Sequence, residues 1–564
     1  MAEISSPYLR PHDDDRRWVS LYSPRMPAEM KLEVESPLSA FNRSLAASPD
    51  AVALWYFDAS LSFRQVDAMA GALAGAWADK VRHGDRVAIL NQNTPATVIG
   101  LLAAWRLGAA VMPLNPMLKR RELVHYLADG QPSAAIVGAE QAAALQGAVS
   151  DWGGTPSVAV TSALDFLGDA EAVPRLLGGL SRDFVGNDEW CRLSTLLAGG
   201  ETSPARKVTG SDIAFLTYTS GTTGQPKAAL NTHANVAFNA EVYRQWLSLG
   251  PDDVLFAAAP FSHVTGLVAH IAAGFASGAP VVMCYRFEPA TVLDLLARHG
   301  CTSTVAAITA YIALLDYPTF DASRLTRLRK LYSGGAPVAP AVVERWEAAT
   351  GVYIHNAYGL TETTSPSHLV PFGRRAPVDG LTGALSVGVP VPGTRCRVVD
   401  TQTREVLPFG GDVGELMISG PQVVAGYWRK PEESAASFEE GWLRTGDIGR
   451  VDEQGWFYVV DRTKDMIVAS GFKVWPREVE DVLHEHPAVS EAAVVGVPDS
   501  YRGEAPKAFV VTRPGVQVTA DELSLFCRDR LASYKVPRLI EILDALPKTD
   551  TGKVLRRVLR ERPL

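Results

Sequence analysis

Short apolar segments alternate with segments of helical length along most of the chain before residue 366. Ser62 followed by Gln65 is a capping-box pattern, which predicts a helix that runs to about residue 81. Strands are predicted at 87–90, 109–114, 254–259, 281–284 and 304–308, and helices at 96–107, 267–276 and 289–299. Short apolar strands between helices are typical of parallel sheets that are covered by helices on both faces. The pattern therefore predicts an α/β fold.

The pattern changes after about residue 366. Shorter strands at 395–400 and 415–419 are separated by Gly/Pro turns, which indicates a small β-rich subdomain over about 367–462. The last segment, 463–564, has its own strand and helix pattern and is long enough for a small α+β domain. We therefore predict a large N-terminal domain, 1–462, and a small C-terminal domain, 463–564.

The composition is that of a globular chain. Of the 564 residues, 47% are hydrophobic and 21% are charged, which excludes wholesale disorder. The formal net charge of -8 argues against nucleic acid or an anionic membrane as the main partner. An anionic ligand would need local positive charge in its own site.

Several features bear on the cellular compartment. The cysteines form no CxxC pair, which argues against a zinc ribbon or disulfide framework and fits a reducing cytoplasm. Three aspartates at 13–15 stand where an export signal would need apolar residues, so we expect a cytoplasmic protein.

Residues 254–285 carry no formal charge and are long enough to span a bilayer. Prolines, histidines and glycines interrupt them, so we expect a buried strand, helix and strand.

The most informative segment is the loop at 218–227, Tyr-Thr-Ser-Gly-Thr-Thr-Gly-Gln-Pro-Lys. Its glycines free backbone N–H groups to form an anion-binding nest, its hydroxyls add donors, and Lys227 adds charge. The strand-like residues 213–216 place the loop at the carboxyl end of a strand, and its spacing is not that of a Walker A loop. We predict a phosphate-binding loop, with a plain surface turn as the alternative. The predicted ligands are Thr219, Ser220, Gly221, Thr222, Thr223, Gly224 and Lys227.

Five further segments follow the loop in order. They are Tyr-Gly-Leu-Thr-Glu at 358–362, Gly-Trp-Leu-Arg-Thr-Gly-Asp at 441–447, Asp-Arg-Thr-Lys-Asp at 461–465, Ser-Gly-Phe-Lys-Val at 470–474 and Pro-Lys-Thr-Asp-Thr-Gly-Lys at 547–553. Together the six motifs resemble the adenylate-forming superfamily of acyl- and aryl-CoA ligases, firefly-type luciferases and peptide-synthetase adenylation domains. The chain looks most like a fatty-acid–CoA ligase. The resemblance implies that a carboxylate attacks the α-phosphorus of ATP and that coenzyme A then displaces AMP, with Mg²⁺ bound.

The resemblance also implies roles for residues on the nucleotide side. Glu362 would bind the metal and Thr361 would contact phosphate, which fits the preference of Mg²⁺ for carboxylate and phosphate oxygens. Asp447 would accept the ribose hydroxyls, with Arg462 nearby. Without the resemblance, Glu362 would be read as a solvated loop acid and Asp447 as a turn residue. The adenine side would consist of Gly335, Ala336, Pro337, Tyr358 and Gly359.

The C-terminal segment carries the remaining implied roles. Lys553 would bridge carboxylate and phosphate oxygens in the first half-reaction, although most C-terminal lysines are solvated. The small domain is implied to be mobile. It would rotate about Lys464, withdraw Lys553, and bring the loop of Gly471 and Lys473 to the thiol. His263 is predicted to line the carboxylate and thiol side, and a satisfied core histidine is the alternative.

The acid itself is constrained by an absence in the sequence. Relatives that activate amino acids carry an aspartate in the region 260–266, and this chain has none, so a buried amine would lack a counter-ion. We predict an amine-free acid, a medium- or long-chain fatty acid first and an aryl or alicyclic acid second. The alternatives are an acyl-AMP ligase that loads a carrier protein, a non-catalytic nucleotide-binding regulatory protein, and a luciferase-like oxygenase.

Two positions depart from the family pattern. Ala228 follows Lys227 where relatives have glycine, and its methyl group is expected to be tolerated unless the position needs a positive φ. Thr309 stands where many relatives have proline, so the wall of the acyl pocket is expected to differ. The sequence leaves a peripheral membrane contact and a dimer open.

Overall fold

The computed structural model describes residues 15–168, 173–184, 186–187, 189–200, 205–219, 226–462, 465–469, 472–499, 503–549 and 552–562. The β-strands of this part are β1 (Val52–Tyr56), β2 (Ala59–Ser62), β3 (Arg86–Leu90), β4 (Ala110–Leu114), β5 (Ala134–Gly138), β6 (Ser157–Thr161), β7 (Cys191–Arg192), β8 (Ile213–Thr219), β9 (Lys227–Thr232), β10 (Leu255–Phe256), β11 (Val281–Met283), β12 (Ser303–Ala306), β13 (Lys330–Ser333), β14 (Ile354–Leu360), β15 (Ser365–Leu369), β16 (Val389–Pro390), β17 (Arg395–Val399), β18 (Gly414–Ser419), β19 (Phe438–Glu439), β20 (Trp442–Val451), β21 (Phe457–Arg462), β22 (Ile467–Ala469), β23 (Phe472–Val474), β24 (Val489–Asp499), β25 (Gly503–Thr512) and β26 (Leu539–Ile542). The α-helices are α1 (Pro37–Ala47), α2 (Phe63–Trp77), α3 (Pro95–Arg106), α4 (Arg120–Gly130), α5 (Ala142–Trp152), α6 (Leu193–Ala198), α7 (His233–Trp246), α8 (Ala273–Ser277), α9 (Pro289–Arg298), α10 (Ile308–Leu315), α11 (Pro340–Thr350), α12 (Pro431–Ser437), α13 (Pro476–Glu485), α14 (Ala520–Arg528) and α15 (Arg556–Arg560).

Two large sheets form the body of the N-terminal part. The nine-stranded sheet has the order β16-β15-β14-β13-β12-β10-β11-β1-β2, and its central pairs are parallel. The seven-stranded sheet has the order β7-β6-β5-β3-β4-β8-β9 and is parallel except for the β8–β9 pair. Every residue of β4 and β5 is buried, as expected of strands that are covered on both faces. The predicted α/β fold with parallel sheets is confirmed.

Local signals placed most elements within a few residues of their observed bounds. The capping box of Ser62 and Gln65 is formed, and α2 ends at Trp77 rather than near residue 81. The strand predicted at 304–308 is wrong at its end, because β12 stops at Ala306 and Ile308 begins α10. Both elements are apolar here, and a short apolar run does not distinguish a strand from a buried helix.

The uncharged stretch 254–285 forms β10, a π-helix over Gly266–Ala272, α8 and β11. The expected order of strand, helix and strand is confirmed, but the helix begins with π geometry, which is frequent at functional sites. A Cβ atom on Gly266 would lie 2.1 Å from the carbonyl oxygen of Pro260, so this close approach requires glycine. Within the described ranges, no helix combines the length and apolar character that a membrane crossing needs.

Two smaller sheets complete the chain. One is antiparallel, with the order β17-β18-β20-β19 and β21 beside β20, whereas β15 and β16 extend the nine-stranded sheet. The other, in the C-terminal part, has the order β23-β22-β25-β24, with β26 beside β25. The C-terminal part contacts the larger one directly: Arg477 donates to the carbonyl of Val338 at 3.3 Å, and the Ser490 hydroxyl donates to Asp316 at 2.7 Å. With the C-terminal part in this position, Lys553 lines the cavity described next.

Candidate active site

A cavity of about 1090 Å³ lies where the carboxyl end of β8 and the residues after β13 and β14 meet the C-terminal part. Loops at the carboxyl ends of parallel strands are the usual position of ligand sites in α/β folds. Residues predicted from distant motifs share its wall: Thr219, Lys227, His263, Gly335, Tyr358, Gly359, Thr361, Glu362 and Lys553. The tertiary structure therefore brings together side chains that are hundreds of residues apart in sequence.

Some predicted site residues lie outside the cavity wall or outside the described part of the chain. Ala336 and Pro337 follow Gly335 directly, and Asp447 lies behind Tyr358. Ser220, Gly221, Thr222, Thr223, Gly224, Lys464 and Gly471 lie outside the described residues, as do the side chains of Arg462 and Lys473.

On the phosphate side, Lys227 and Glu362 meet at one tyrosine. Thr219 ends β8 and pairs with Lys227 at the start of β9, so the two ends of the predicted phosphate loop are adjacent. The Lys227 ammonium lies 4.9 Å from the centre of the Tyr427 ring, and the Tyr427 hydroxyl donates to Glu362 Oε1 at 2.7 Å. Burial, and then the Glu362 charge, raise the pKa of Tyr427, so the phenol stays a donor. The sequence analysis did not identify Tyr427, because its hydrogen-bond partner Glu362 is 65 residues away and no sequence motif links the two.

The Ala228 departure is explained by the strand that contains it. Ala228 lies in β9 opposite Tyr218 and is fully buried. It is not among the residues of positive φ, so the position does not require glycine. The condition under which the methyl group would not be tolerated, a positive φ, is therefore absent at this position.

The metal assignment can be tested against the residues that surround Glu362. In the part of the chain that the structure describes, no three His, Cys, Asp or Glu side chains cluster as a metal cage would need. Mg²⁺ is commonly held by one or two carboxylates together with substrate phosphates. Glu362, which is joined to Lys227 through Tyr427, fits that mode, whereas the described residues do not form an all-protein metal cage.

On the nucleoside side, the Tyr358 hydroxyl donates to Asp447 Oδ2 at 2.6 Å. Asp447 is only 3% exposed, and its backbone N–H donates to the Thr445 hydroxyl at 3.1 Å. Burial and the Asp447 carboxylate raise the pKa of Tyr358, so this phenol is also held as a donor. Tyr358 was predicted to offer a flat face, and the structure adds that its hydroxyl orients the carboxylate.

One part of the cavity wall is apolar. Alanines of α10 lie on the wall together with residues that follow β10, β11 and β12. The apolar lining consists of Val264, Phe287, Val305, Ala306, Ala307, Ala310 and Ala313. Such a lining suits an alkyl or aryl group.

His263 stands between this apolar part and the charged part. Its Nδ1 accepts the Thr265 backbone N–H at 3.3 Å, so a neutral ring carries its proton on Nε2. Burial first, and the Lys553 charge second, lower its pKa to about 4. The imidazole is therefore neutral at physiological pH.

A pH prediction follows from this neutral ring. We expect the titration of His263 to cause no inflection near pH 6.5, the ordinary histidine pKa, in the pH profile of acid-dependent ATP–pyrophosphate exchange. His263→Asn should lower the rate but keep the shape of the profile from about pH 5.5 to 9. An inflection in the unaltered enzyme that disappears in the variant would contradict this assignment.

The loop of Lys553 closes the cavity from the C-terminal side. Its backbone forms a tight turn, in which the Thr549 N–H donates to the Lys553 carbonyl at 2.8 Å and the Lys553 N–H donates to the Thr549 hydroxyl at 3.1 Å. Gly552 has φ +80°, and a Cβ atom there would lie 2.3 Å from Thr309 Oγ1. Thr309, expected to alter the acyl-pocket wall, therefore also touches the incoming lysine loop.

Comparisons with known proteins show the family to which this chain is related. The family model described as "AMP-binding enzyme" matches residues 41–428, and "AMP-binding enzyme C-terminal domain" matches residues 478–553. A long-chain-fatty-acid–CoA ligase of Bacillus subtilis is 34% identical over 96% of this chain and 97% of its own length. A feruloyl-CoA synthase of an Amycolatopsis species is 35% identical over 92% of this chain and 97% of its own length. The solved structure of the anthranilate CoA ligase AuaEII with anthranoyl-AMP has a TM-score of 0.84 and 28% identity, and it covers 95% of this chain and 98% of that chain.

Proposed function

This chain belongs to the AMP-binding enzyme family and is an ATP-dependent acyl-CoA ligase, and we propose that its acid is a medium- or long-chain fatty acid. The observation that carries the proposal is one continuous cavity, in which an apolar wall joins the charged groups Lys227, Glu362 and Lys553. The apolar wall would hold the acyl chain and the charged part would hold the reacting carboxylate and triphosphate. The relative from Bacillus subtilis is named for long-chain fatty acids, which supports the same choice.

In the proposed first half-reaction, a carboxylate oxygen of the acid forms a bond to the α-phosphorus of ATP and the bond to the pyrophosphate oxygen breaks. The products are acyl-adenylate and pyrophosphate. Both reactants are anions, so the site must neutralise charge that accumulates as they approach. Lys227 and the loop from Thr219 would hold the phosphates, and Lys553 would bridge the carboxylate and the α-phosphate. His263, neutral and a donor at Nε2, would line the path of the acid.

The metal and nucleoside contacts follow from the same cavity. Glu362 would hold Mg²⁺, which when bound supplies positive charge to the phosphate oxygens, and Thr361 would donate to phosphate. Asp447, held by Tyr358, would accept the ribose hydroxyls, with Arg462 next to it in the β20–β21 pair. The residues Gly335, Ala336, Pro337 and Gly359 would leave room for the adenine.

The second half-reaction requires coenzyme A to reach the acyl-adenylate. The thiol sulfur would form the thioester bond to the acyl carbon, and AMP would leave. We propose that residues 463–564 rotate about Lys464, so that Lys553 withdraws and the loop of Gly471 and Lys473 approaches the thiol. Arg477 donates to the carbonyls of Val338 and Val459, and Ser490 donates to Asp316, so such a rotation would have to exchange these hydrogen bonds.

A pyrophosphate-release screen over a panel of acids, with and without coenzyme A, tests the proposal. We expect release that depends on octanoate to hexadecanoate, with thioester formed only when coenzyme A is present. The feruloyl-CoA synthase relative favours an aryl acid as the second candidate, so ferulate and benzoate belong in the panel. Turnover of aryl acids alone would overturn the fatty-acid assignment. Thioester formed only on an added carrier protein would overturn the coenzyme A assignment.

The length preference can be tested at Ala313. Ala310 and Ala313 lie one turn apart on the cavity wall, so a larger side chain there would occupy space for the chain end. Ala313→Leu should lower kcat/KM for hexadecanoate relative to octanoate by about 10-fold or more. The KM for ATP should not change. Ala290→Leu on α9, outside the cavity wall, is the matched control.

We also propose that the enzyme works in the cytoplasm. All five cysteines are free, and Cys284, Cys301, Cys396 and Cys527 are buried, as suits a reducing compartment. Peripheral membrane contact and oligomeric state can be tested by vesicle sedimentation and by light scattering of the purified enzyme.

A further inference from the structure

The turn that presents Thr361 and Glu362 has an unfavourable backbone. Thr361–Thr363 form one turn of 3₁₀-helix, and the next two residues both have positive φ, 52° at Thr364 and 85° at Ser365. Neither residue is glycine, so this conformation persists only where surrounding contacts hold it. The contacts that hold it identify which residues control the position of the Glu362 carboxylate.

Two buried asparagines make those contacts. Asn231 donates through Nδ2 to the Thr361 carbonyl at 3.0 Å and to the Thr364 hydroxyl at 2.9 Å. Asn239 donates through Nδ2 to the Thr363 carbonyl at 3.0 Å and to the Thr364 carbonyl at 2.6 Å. Both asparagines are 0% exposed. All four amide hydrogens are therefore used on a segment of four residues.

The location of the asparagines adds to this pattern. Asn231 lies in β9, which starts at Lys227 directly after the phosphate loop, and Asn239 lies in α7, which follows β9. The Val424 backbone N–H donates to the Glu362 carbonyl at 2.9 Å, so the remaining carbonyl of the turn is also satisfied. Rigid hydrogen bonds thus connect the strand of the phosphate loop with the turn of the proposed metal ligand.

We propose that Asn231 and Asn239 are positioning residues that hold Glu362 in register with the phosphate loop and so set the affinity for magnesium-bound ATP. The proposal rests on the proposed metal role of Glu362. Mutation of groups that orient a metal-binding side chain without touching the metal typically lowers metal affinity by about 10- to 100-fold. The asparagines act through the turn backbone, since their amide nitrogens face its carbonyls.

The test compares the binding of ATP with and without Mg²⁺ by titration calorimetry, in the absence of the acid. Asn239→Leu keeps the approximate side-chain volume but removes both donors. We expect the gain in ATP affinity that Mg²⁺ provides to shrink by about 10- to 100-fold. Affinity for metal-free ATP should stay within about 3-fold, because the phosphate loop and the nucleoside contacts remain. If the gain from Mg²⁺ is unchanged in Asn239→Leu, the proposal is overturned.

A matched control separates positioning from general stability. Asn91 is a buried asparagine whose amide donates to the Thr94 and Thr97 hydroxyls, and it does not line the cavity. Asn91→Leu should lower the thermal midpoint without altering the gain from Mg²⁺. Equal changes in the gain for Asn91→Leu and Asn239→Leu would show a merely structural role and would overturn the proposal.

Two further variants cover the remaining outcomes. Asn231→Ser keeps one hydroxyl donor and provides the test if Asn239→Leu does not fold. We expect the gain in ATP affinity from Mg²⁺ to fall in Asn231→Ser by a smaller factor than in Asn239→Leu. Glu362→Gln tests the underlying metal role by itself. If Glu362→Gln leaves the gain unchanged, the metal assignment fails, whereas a loss in Glu362→Gln with none in either asparagine variant refutes only the positioning role.

Discussion

Replacing Lys553 by alanine should reduce acid-dependent ATP–pyrophosphate exchange by about 10²- to 10³-fold, the loss typical of one charge-stabilising group in a closed site. Lys553 lines the same cavity as Lys227 and Glu362, and its positive charge is the second cause of the lowered pKa of His263. Its removal leaves two anions to approach each other without the ammonium that would bridge them. The measurement is isotope exchange between pyrophosphate and ATP at saturating acid.

The same variant should convert synthetic acyl-adenylate and coenzyme A to thioester at nearly the rate of the unaltered enzyme. This follows because Lys553 is proposed to be withdrawn in the second half-reaction. Lys535→Ala is the control, since Lys535 lies on the same domain, pairs with Glu478, and does not line the cavity. Unchanged exchange in Lys553→Ala, or an equal loss in both half-reactions, would refute the assigned role.

Adding one methyl group at Gly552 should also separate the two half-reactions. Gly552 has φ +80°, and its new Cβ atom would lie 2.3 Å from Thr309 Oγ1 when the lysine loop is docked. A non-glycine residue at positive φ costs about 1–3 kcal/mol, and β-branched Thr309 has few alternative rotamers. Gly552→Ala should therefore lower pyrophosphate exchange by about 10- to 100-fold. Thioester formation from acyl-adenylate should change much less, since it does not need this docked position.

The double variant Gly552→Ala with Thr309→Ala isolates the contact between the two residues. Removing the threonine hydroxyl relieves the clash but not the backbone strain, so exchange should recover in part. Thr309→Ala alone provides the reference for any effect on the acid. If the double variant is no better than Gly552→Ala, backbone strain alone explains the loss, and Thr309 has no part in docking the loop.

Several residues proposed for the nucleotide side were identified from contiguous sequence motifs, and the structure places them on the wall of one cavity. Thr219 lies at the carboxyl end of a strand, as the loop pattern indicated, and Lys227 begins the adjacent strand β9. Thr361, Glu362 and Tyr358 come from one short segment. Tyr427 could not be predicted, since no local pattern links it to the Glu362 carboxylate that it binds. Nor could the hydrogen bonds of Asn231 and Asn239, which read in the sequence as ordinary residues of a strand and a helix.

Local periodicity also could not predict element type where a strand and a helix would both consist of apolar residues. The residues 304–308 are apolar in either state, and packing decided that β12 ends at Ala306 and α10 begins at Ile308. The π-helix at Gly266–Ala272 likewise has no distinct periodic signal. Its start depends on the close approach of Gly266 to Pro260, a contact between backbones that hydropathy does not encode.

The sequence by itself determined the α/β class, the family motifs and the residue types that can neutralise a triphosphate, because hydrophobic period, capping and glycine-rich turns act over a few neighbouring residues. Only the tertiary structure decided which of those groups meet. It placed Lys553 and His263 on the wall of one cavity, Gly552 against Thr309, and the turn of Glu362 against two buried asparagines. The reason is that such contacts depend on the packing of whole layers and on the orientation of the C-terminal part, to which distant residues contribute together.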